Sequence, residues 1–138
     1  MVWGRTSWGQ ANVPPPNSGF VNIAAGFLNT FGVRADGTVQ GWGFNDDGQC
    51  NAPPSNTNFV AVSGGGVGLE KDNTLVGLWY PGFNFGQFSI PSPNQDFVGI
   101  STSGHSLGLK ADGSIVAWEY NVNGECDVPP PNTGFKGV

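Results

Sequence analysis

Charged side chains are scarce in this chain. They make up 11% of the 138 residues, which is less than half of the share that is usual in soluble domains. Five cations stand against ten carboxylates, and the cations are scattered from Arg5 to Lys136 without forming a cluster. Proteins that bind nucleic acid through its phosphates need a concentrated positive surface. The composition therefore argues against a nucleic-acid partner.

Long hydrophobic runs are also missing. No apolar run approaches the ~20 residues that a membrane-spanning helix requires, so we expect no membrane partner. The first residues of the chain enter the repeat described below at once and do not have the pattern of a signal peptide. The residues themselves leave the cellular compartment unknown.

Groups with the chemistry of a catalytic or metal site are few. His105 is the only histidine, and no specific set of serine, histidine and acid can be assembled around it. The segment 45–48 contains Asp46 and Asp47 but lacks the spaced ligands and closing glutamate of a calcium loop, so we interpret it as a solvated turn. We expect a protein that is not an enzyme and that has no metal and no cofactor.

The two cysteines, Cys50 and Cys126, lie 76 residues apart. This distance is two periods of the repeat described next, so the cysteines occupy equivalent places in two units that are not adjacent. A disulfide requires Cα atoms within about 7 Å of each other, and equivalent places two units apart are farther apart than that. We expect two unpaired, structural cysteines.

Three landmarks recur along the chain with one period. Gly-Gln or Gly-Glu pairs begin at residues 9, 48, 86 and 124, at spacings of 39, 38 and 38 residues. A proline follows each pair and a phenylalanine opens each unit, again at these spacings. Self-similarity of this kind is typical of a repeat protein. The predicted units are the end of a split blade at 1–19, repeats at 20–58, 59–96 (degenerate) and 97–134, and the first strand of the next or closing blade at 135–138.

Each unit contains four short extended segments and no stretch with a helical period. In the first unit they are residues 20–23, 31–33, 39–42 and the segment that ends at Pro53. An Asp-Gly or Asp-Asn pair before the third segment predicts a tight two-residue hairpin with both residues at positive φ. The small residue in the middle of the third segment, Gly41 here, predicts close approach of a neighbouring sheet. The chain is therefore predicted to be all-β, with propeller blades of four short antiparallel strands per ~38-residue repeat.

Residues 104–118, together with the Trp-Gly and Gly-Gln pairs at 3–10 and 42–49, resemble the repeat of the regulator of chromosome condensation family. The short period and the Val-Pro endings resemble its bacterial short-repeat branch, which includes a secreted propeller that inhibits β-lactamases. The resemblance implies a structural, hydrogen-bonded role for His105 and an extracellular location. It also implies a propeller of about seven blades, of which this chain holds about half.

In an up-and-down blade, the loops after the first and third strands lie on one face and the Asp-Gly turns lie on the other. The loops of the first face vary between repeats and combine aromatic residues with acids and amides, a composition typical of binding surfaces. For each aromatic residue, inward packing is the alternative. The predicted protein-binding face consists of Trp8, Phe27, Leu28, Asn29, Phe44, Asp46, Asp47, Tyr80, Phe83, Phe85, His105, Glu119, Tyr120 and Val122.

We expect a non-enzymatic propeller segment that binds a protein partner of unknown identity through this face, in an inhibitor-like manner. A carbohydrate-binding propeller and a structural repeat segment of a larger protein are the alternatives. Trp3, Trp42 and Trp118 recur at one repeat position, which favours core packing over a platform for sugar stacking. In the second repeat, either Leu78 or Trp79 occupies this position.

The units leave one blade divided between the two ends of the chain. Two copies joined head to tail, as a homodimer, would complete a ring of about eight blades and cover the apolar faces of the terminal blades. The alternatives are that the chain is a fragment of a larger propeller, or that it closes alone as a ring of about four blades.

Overall fold

The computed structural model describes residues 6–78, 86 and 88–138, and all regular structure in these residues is β. The described strands form three antiparallel sheets, each made of three strands that follow one another in the chain. In chain order the strands are β1 (Phe20–Ala25), β2 (Asn29–Arg34), β3 (Val39–Gly43), β4 (Phe59–Val62), β5 (Val67–Glu70), β6 (Leu75–Gly77), β7 (Phe97–Thr102), β8 (His105–Lys110) and β9 (Ile115–Glu119). The all-β prediction is confirmed.

A phenylalanine at the start of each sheet packs directly on a glycine of the second strand. A β-carbon added to Gly32 or Gly68 would lie 2.6 Å from a ring carbon of that phenylalanine. Only glycine leaves room for so close an approach. This explains why glycine stands in the middle of the strand, although glycine there usually weakens a strand. The three pairs are Phe20 on Gly32, Phe59 on Gly68 and Phe97 on Gly108.

Each sheet packs on the next through the phenylalanine that opens the next sheet. Phe59 is 2% exposed and shares a buried cluster with Phe31 and Val33 of the first sheet. Phe97 is fully buried and makes the equivalent junction with the second sheet. Its buried neighbours there are Val67, Leu69 and Leu75. Because the two junctions repeat one packing arrangement, the sheets follow one another as the blades of a partial β-propeller.

The turn between the second and third strands differs from the prediction in one respect. Positive φ occurs at Gly37 (85°), Asn73 (67°) and Gly113 (83°). The Gly37 N–H donates to the Arg34 carbonyl, and the Arg34 N–H donates to the Thr38 carbonyl. This is a three-residue hairpin loop in which only the last residue is left-handed. The prediction of a two-residue turn with Asp36 also at positive φ is wrong, because the Asp36 carboxylate accepts from the N–H and hydroxyl of Thr38.

The predicted fourth strand is wrong for the described residues that follow β3 and β9. The chain there runs through turns and unpaired segments. At the start of β3 the outer edge is bonded instead by one side chain: Asn56 Oδ1 accepts from the Val39 N–H at 2.6 Å, and Asn56 Nδ2 donates to the Val39 carbonyl at 3.0 Å. An amide side chain can thus satisfy an edge that a strand would otherwise pair. The equivalent pairs are Asn94 with Leu75 and Asn132 with Ile115.

The small residue in the middle of the third strand does not face a neighbouring sheet, so that prediction is wrong. A β-carbon added to Gly41 would lie 2.9 Å from the Cα of Cys50, which belongs to the same repeat. A β-carbon added to Gly77 would lie 2.7 Å from the ring of Phe88. The segment after the Gly-Gln pair therefore packs across the third strand of its own sheet.

Leu78 takes the position of the repeated tryptophan in the second sheet. The pairing of β5 with β6 places Leu78 where the pairing of β2 with β3 places Trp42. Leu78 is 3% exposed, and Trp42 and Trp118 are each 7% exposed. Core packing of the repeated tryptophans is confirmed for these two, whereas Trp3 and Trp79 lie outside the described residues.

Gly113→Val should lower the free energy of unfolding by more than about 1 kcal/mol. Gly113 has a φ of +83°, and an added β-carbon would lie 2.9 Å from the backbone nitrogen of Gly134. Gly104→Ala is the matched control, because an added β-carbon at Gly104 meets no atom within 4 Å. Urea denaturation of both variants measures the effect. Equal stability of Gly113→Val and the parent would contradict this turn geometry.

Candidate protein-binding face

The antiparallel register separates the connections of each sheet into two opposite ends. In the first sheet Asn29 pairs with Gly43, so the loop after β1 and the exit from β3 meet at one end. At the other end the Phe59 N–H donates to the Gly37 carbonyl at 3.0 Å, where the next blade begins. The loop face is formed by residues 6–10, 26–28, 44–51, 63–66, 103–104 and 119–127. The turn face is formed by residues 34–38, 70–74 and 110–114 and by the segments that pack on them, 16–20, 56–59, 93–97 and 132–136.

The three Gly-Gln or Gly-Glu pairs that lie within the described residues each close a turn on the loop face. Gln49 Oε1 accepts from the backbone N–H of Asp47 at 3.0 Å. The preceding Gly48 has a φ of 82°, which lets the chain reverse at this point. The sequence shows that the pair recurs. It does not show that the side chain of the pair bonds the backbone two residues earlier. The equivalent bonds join Gln10 to Trp8 at 3.0 Å and Glu125 to Asn123 at 2.8 Å.

An asparagine at the start of the same turn is a structural residue that sequence reasoning missed. Asn45 Oδ1 accepts from the Cys50 N–H at 2.6 Å, and Asn121 Oδ1 accepts from the Cys126 N–H at 2.8 Å. Both cysteines are free, as predicted, and each S–H donates to a backbone carbonyl. Burial raises the pKa of the Cys50 thiol to about 11, so this cysteine is a protonated packing group.

Four large apolar side chains of the predicted set project from the loop face. Phe27 is 95% exposed, Val122 is 75% exposed, and Tyr120 and Trp8 are about half exposed. The rings of Trp8 and Phe44 meet edge to face, with centroids 5.1 Å apart. An almost fully exposed phenylalanine adds nothing to the core, so Phe27 in particular has the properties of a contact residue.

The other predicted site residues differ in accessibility. Asp46 and Asp47 are exposed, whereas Leu28, Phe44, His105 and Glu119 are half-buried. Asn29 is 7% exposed, and its backbone carbonyl accepts from the Gly26 N–H. Asn29 therefore closes the loop between β1 and β2. Tyr80, Phe83 and Phe85 lie outside the described residues. The structure thus brings the described members of the set to one end of the sheets but leaves only part of them accessible.

Residues 20–49, which span β1 to β3 and the turn closed by Gln49, match the model of the Regulator of chromosome condensation (RCC1) repeat. The chain carries an RCC1-type repeat. The hydrogen bonds of Asn56 and Gln49 recur in equivalent form in later units, so the following blades are built on the same framework. No curated protein matches the chain in sequence.

Solved structures show the same fold. Human WBSCR16 is 17% identical with a TM-score of 0.63, over 86% of this chain and 42% of that one. Prp20p from Saccharomyces cerevisiae is 16% identical with a TM-score of 0.62, over 95% of this chain and 43% of that one. The chain therefore spans less than half the length of either structure. At these identities the likeness concerns the fold alone.

One position of the loop face departs from the RCC1-type repeat of residues 20–49. Gly43 follows Trp42 with a φ of 114°, but Glu119 follows Trp118 with a φ of 92°. A non-glycine residue in this region is strained. Glu119 pairs in register with His105, the first residue of β8, and its Oε2 accepts from the hydroxyl of the fully buried Ser106 at 2.9 Å. Burial raises the pKa of the Glu119 carboxyl, and the Ser106 hydrogen bond and His105 oppose this rise.

A metal ion is bound by several ligating side chains that lie close together. Among the described residues, no three His, Cys, Asp or Glu side chains lie together in a way that could hold a metal ion. Asp47 accepts from the Gln49 amide at 3.1 Å and so serves the turn. No helix in the described part of the chain is long and apolar enough to cross a membrane.

Glu119→Gln should raise the melting temperature at about pH 7 and leave it nearly unchanged at about pH 3. Because the pKa of Glu119 is raised in the folded chain, the carboxyl contributes stability at low pH that is lost as the pH rises through its folded pKa. Glutamine does not ionise and avoids this loss. Glu119→Gly is the matched comparison: it removes the left-handed strain and also the acceptor of the buried Ser106 hydroxyl, and because neither glycine nor glutamine ionises, the difference between the two variants should be the same at both pH values. A pH-independent difference between Glu119→Gln and the parent, measured by thermal denaturation, would contradict the assignment.

Proposed function

We propose that the chain is a non-enzymatic propeller segment that binds a protein partner through the loop face. The observation that carries this proposal is Phe27, a phenylalanine that is 95% exposed at the tip of the loop between β1 and β2. Trp8 and Tyr120 add two half-exposed aromatic rings on the same face. Aromatic residues of this kind dominate the binding energy of protein interfaces.

The hydrogen bonds of the turns support the same proposal. Asn45 and Gln49 fix the backbone of the turn that contains Asp46 and Asp47. Asn121 and Glu125 repeat these bonds in the third blade, next to Tyr120 and Val122. Binding by loops that are already held in place costs less ordering entropy than binding by mobile loops. The loop face therefore combines exposed apolar groups with fixed positions.

The comparisons support protein binding at a general level. Prp20p, which shares the fold, binds Gsp1p and histones. The identity of the partner here is a separate matter, because at 16% identity the likeness to Prp20p concerns the fold alone. The inhibitor-like mode and the extracellular location are proposals that are supported only by the resemblance to the bacterial short-repeat branch.

A carbohydrate-binding propeller is the second candidate. The observation that favours it is the half exposure of Trp8 and Tyr120, since flat aromatic faces stack on sugars. The third candidate is a structural segment of a larger protein, which is consistent with the short span of the chain relative to the two solved structures.

Phe27→Ala should abolish most of the binding to any protein that the parent captures, because truncation of an interface hot spot costs about 2 kcal/mol or more. Val98→Ala is the control, since Val98 is 49% exposed on β7, away from the loop face. Surface plasmon resonance with the captured protein measures both variants. A glycan array tests the second candidate: strong sugar binding that Trp8→Ala or Tyr120→Ala abolishes would sink the protein-binding proposal.

We propose that a second copy of the chain packs against the outer side of the first blade. Phe20 is only half-buried, although the equivalent Phe59 and Phe97 are at most 2% exposed under the blade before them. Beside Phe20 lies an open groove of about 670 Å³ that Val13 and Ile23 help to line. A second copy that packs here would complete the ring.

Light scattering of the purified chain should therefore give about twice the 14.4 kDa of one copy. Ile23→Asp should halve that mass, because a carboxylate in an apolar interface is costly. Val122→Asp, which changes an exposed residue of the loop face, should leave the mass unchanged. A parent protein of 14.4 kDa that melts cooperatively would contradict the homodimer.

A further inference from the structure

The charges of the chain are divided unequally between its two faces. Half of the ten carboxylates lie on the loop face. They are Asp46, Asp47, Glu119, Glu125 and Asp127. No lysine or arginine of the described residues lies on this face, and Arg5 is outside them. Within the described part of the chain, the loop face is therefore an anionic surface.

The turn face has a nearly balanced charge. All the described cations lie there, mixed with the remaining carboxylates. The cations are Arg34, Lys71, Lys110 and Lys136, and the carboxylates are Asp36, Glu70, Asp72, Asp96 and Asp112. Since opposite charges are interspersed on the turn face, its long-range field largely cancels.

Two of these cations are tied to the framework. Arg34 donates to the Ser18 carbonyl at 2.7 Å and lies 4.3 Å from the centre of the Phe20 ring. Lys110 donates to the Gln95 carbonyl and lies 3.6 Å from the centre of the Phe97 ring. The same packing that builds the blades therefore holds positive charge on the turn face and away from the loop face.

The carboxylates of the loop face have no lysine or arginine partner among the described residues, and His105, which pairs with Glu119, is the one basic side chain beside them. Their hydrogen-bond donors are neutral: Asn121 donates to Asp127 at 3.0 Å, and Asn123 donates to Glu125 at 2.9 Å. Bonds of this kind lower the pKa of Glu125 and leave its charge in place. The anionic charge is thus fixed in position, next to the exposed rings of the face, and no lysine or arginine of the described residues neutralises it.

We infer that the partner of the loop face presents a cationic protein segment that contains arginine. This inference rests on the proposed function and adds the chemistry of the partner to it. The anionic field steers a positively charged segment toward the face. Arginine suits it best because its guanidinium can bond the carboxylates and also stack on Trp8 or Tyr120.

The test uses a phage-displayed library of random dodecapeptides, selected on the immobilised chain. Fluorescence anisotropy then gives the Kd of the enriched peptides for the parent and two double variants. Asp46→Asn with Asp47→Asn removes two charges from the loop face. Asp72→Asn with Asp96→Asn removes two from the turn face and is the matched control, since asparagine tolerates the φ of 63° at Asp96.

The expected peptides are richer in arginine and lysine than the library. The loop-face double variant should weaken their binding by about three- to tenfold, and the turn-face control should leave it within about twofold. Raising the salt concentration should also weaken binding. Peptides that are neutral or acidic, or equal losses in the two double variants, would overturn the inference.

Phe27→Ala separates this inference from the proposed function. Enriched peptides that lose binding to Phe27→Ala but are not basic would leave the loop face as the binding site and overturn the cationic partner. Peptides whose binding is unaffected by Phe27→Ala and by the loop-face double variant would overturn both. Failure to enrich any peptide would count against both as well.

Discussion

The burial of one phenylalanine at each junction between blades is the interaction on which the other features depend. Full burial of such a ring contributes about 1.5–3 kcal/mol to the free energy of folding. The rings of Phe59 and Phe97 are each covered on two sides. A glycine of the same sheet lies under the ring, and the preceding sheet covers it. The backbone N–H of the same residue donates to the preceding turn, at Gly37 or Asn73. One residue therefore sets both the spacing of the blades and the point where the chain enters the next blade.

The point where the chain enters each blade determines which face can vary in sequence between repeats. Because each blade begins against the turn of the blade before it, the turn face must keep its left-handed residue and its asparagine in every unit. Blades also meet on the loop face, where the Gly65 N–H donates to Thr102 Oγ1 of the next blade at 2.7 Å, but the exposed side chains of that face take no part in this bond. Side chains such as Phe27 and Tyr120 can therefore differ between repeats without a cost to the core, and variation without cost to the core is what a binding face requires.

The period of the chain predicted the order and type of the described strands, because apolar residues at fixed spacings reflect burial directly. It could not predict the loss of the fourth strand, since Asn56 replaces backbone pairing through an amide whose role appears only in three dimensions. The choice of Leu78 for the tryptophan position likewise required the strand register. For the binding face, the sequence located the loops but not the exposure of each residue: Asn29 is buried and Phe27 is open, although they are two positions apart.

The position after the repeated tryptophan shows how the framework and the face influence each other. Gly43 is close to Leu28 and Asn29, so a side chain there would collide with the loop after β1. In the third blade that loop is built differently, and Glu119 fits beside Ser106 and packs toward Gly86 of the preceding unit. The left-handed strain is tolerated because the neighbouring blades fix the backbone. A carboxylate is thus held at the boundary between two blades, on the face where the described residues supply no lysine or arginine to pair with it. Such an arrangement contributes little to folding and is suited to a cationic group that comes from outside the chain.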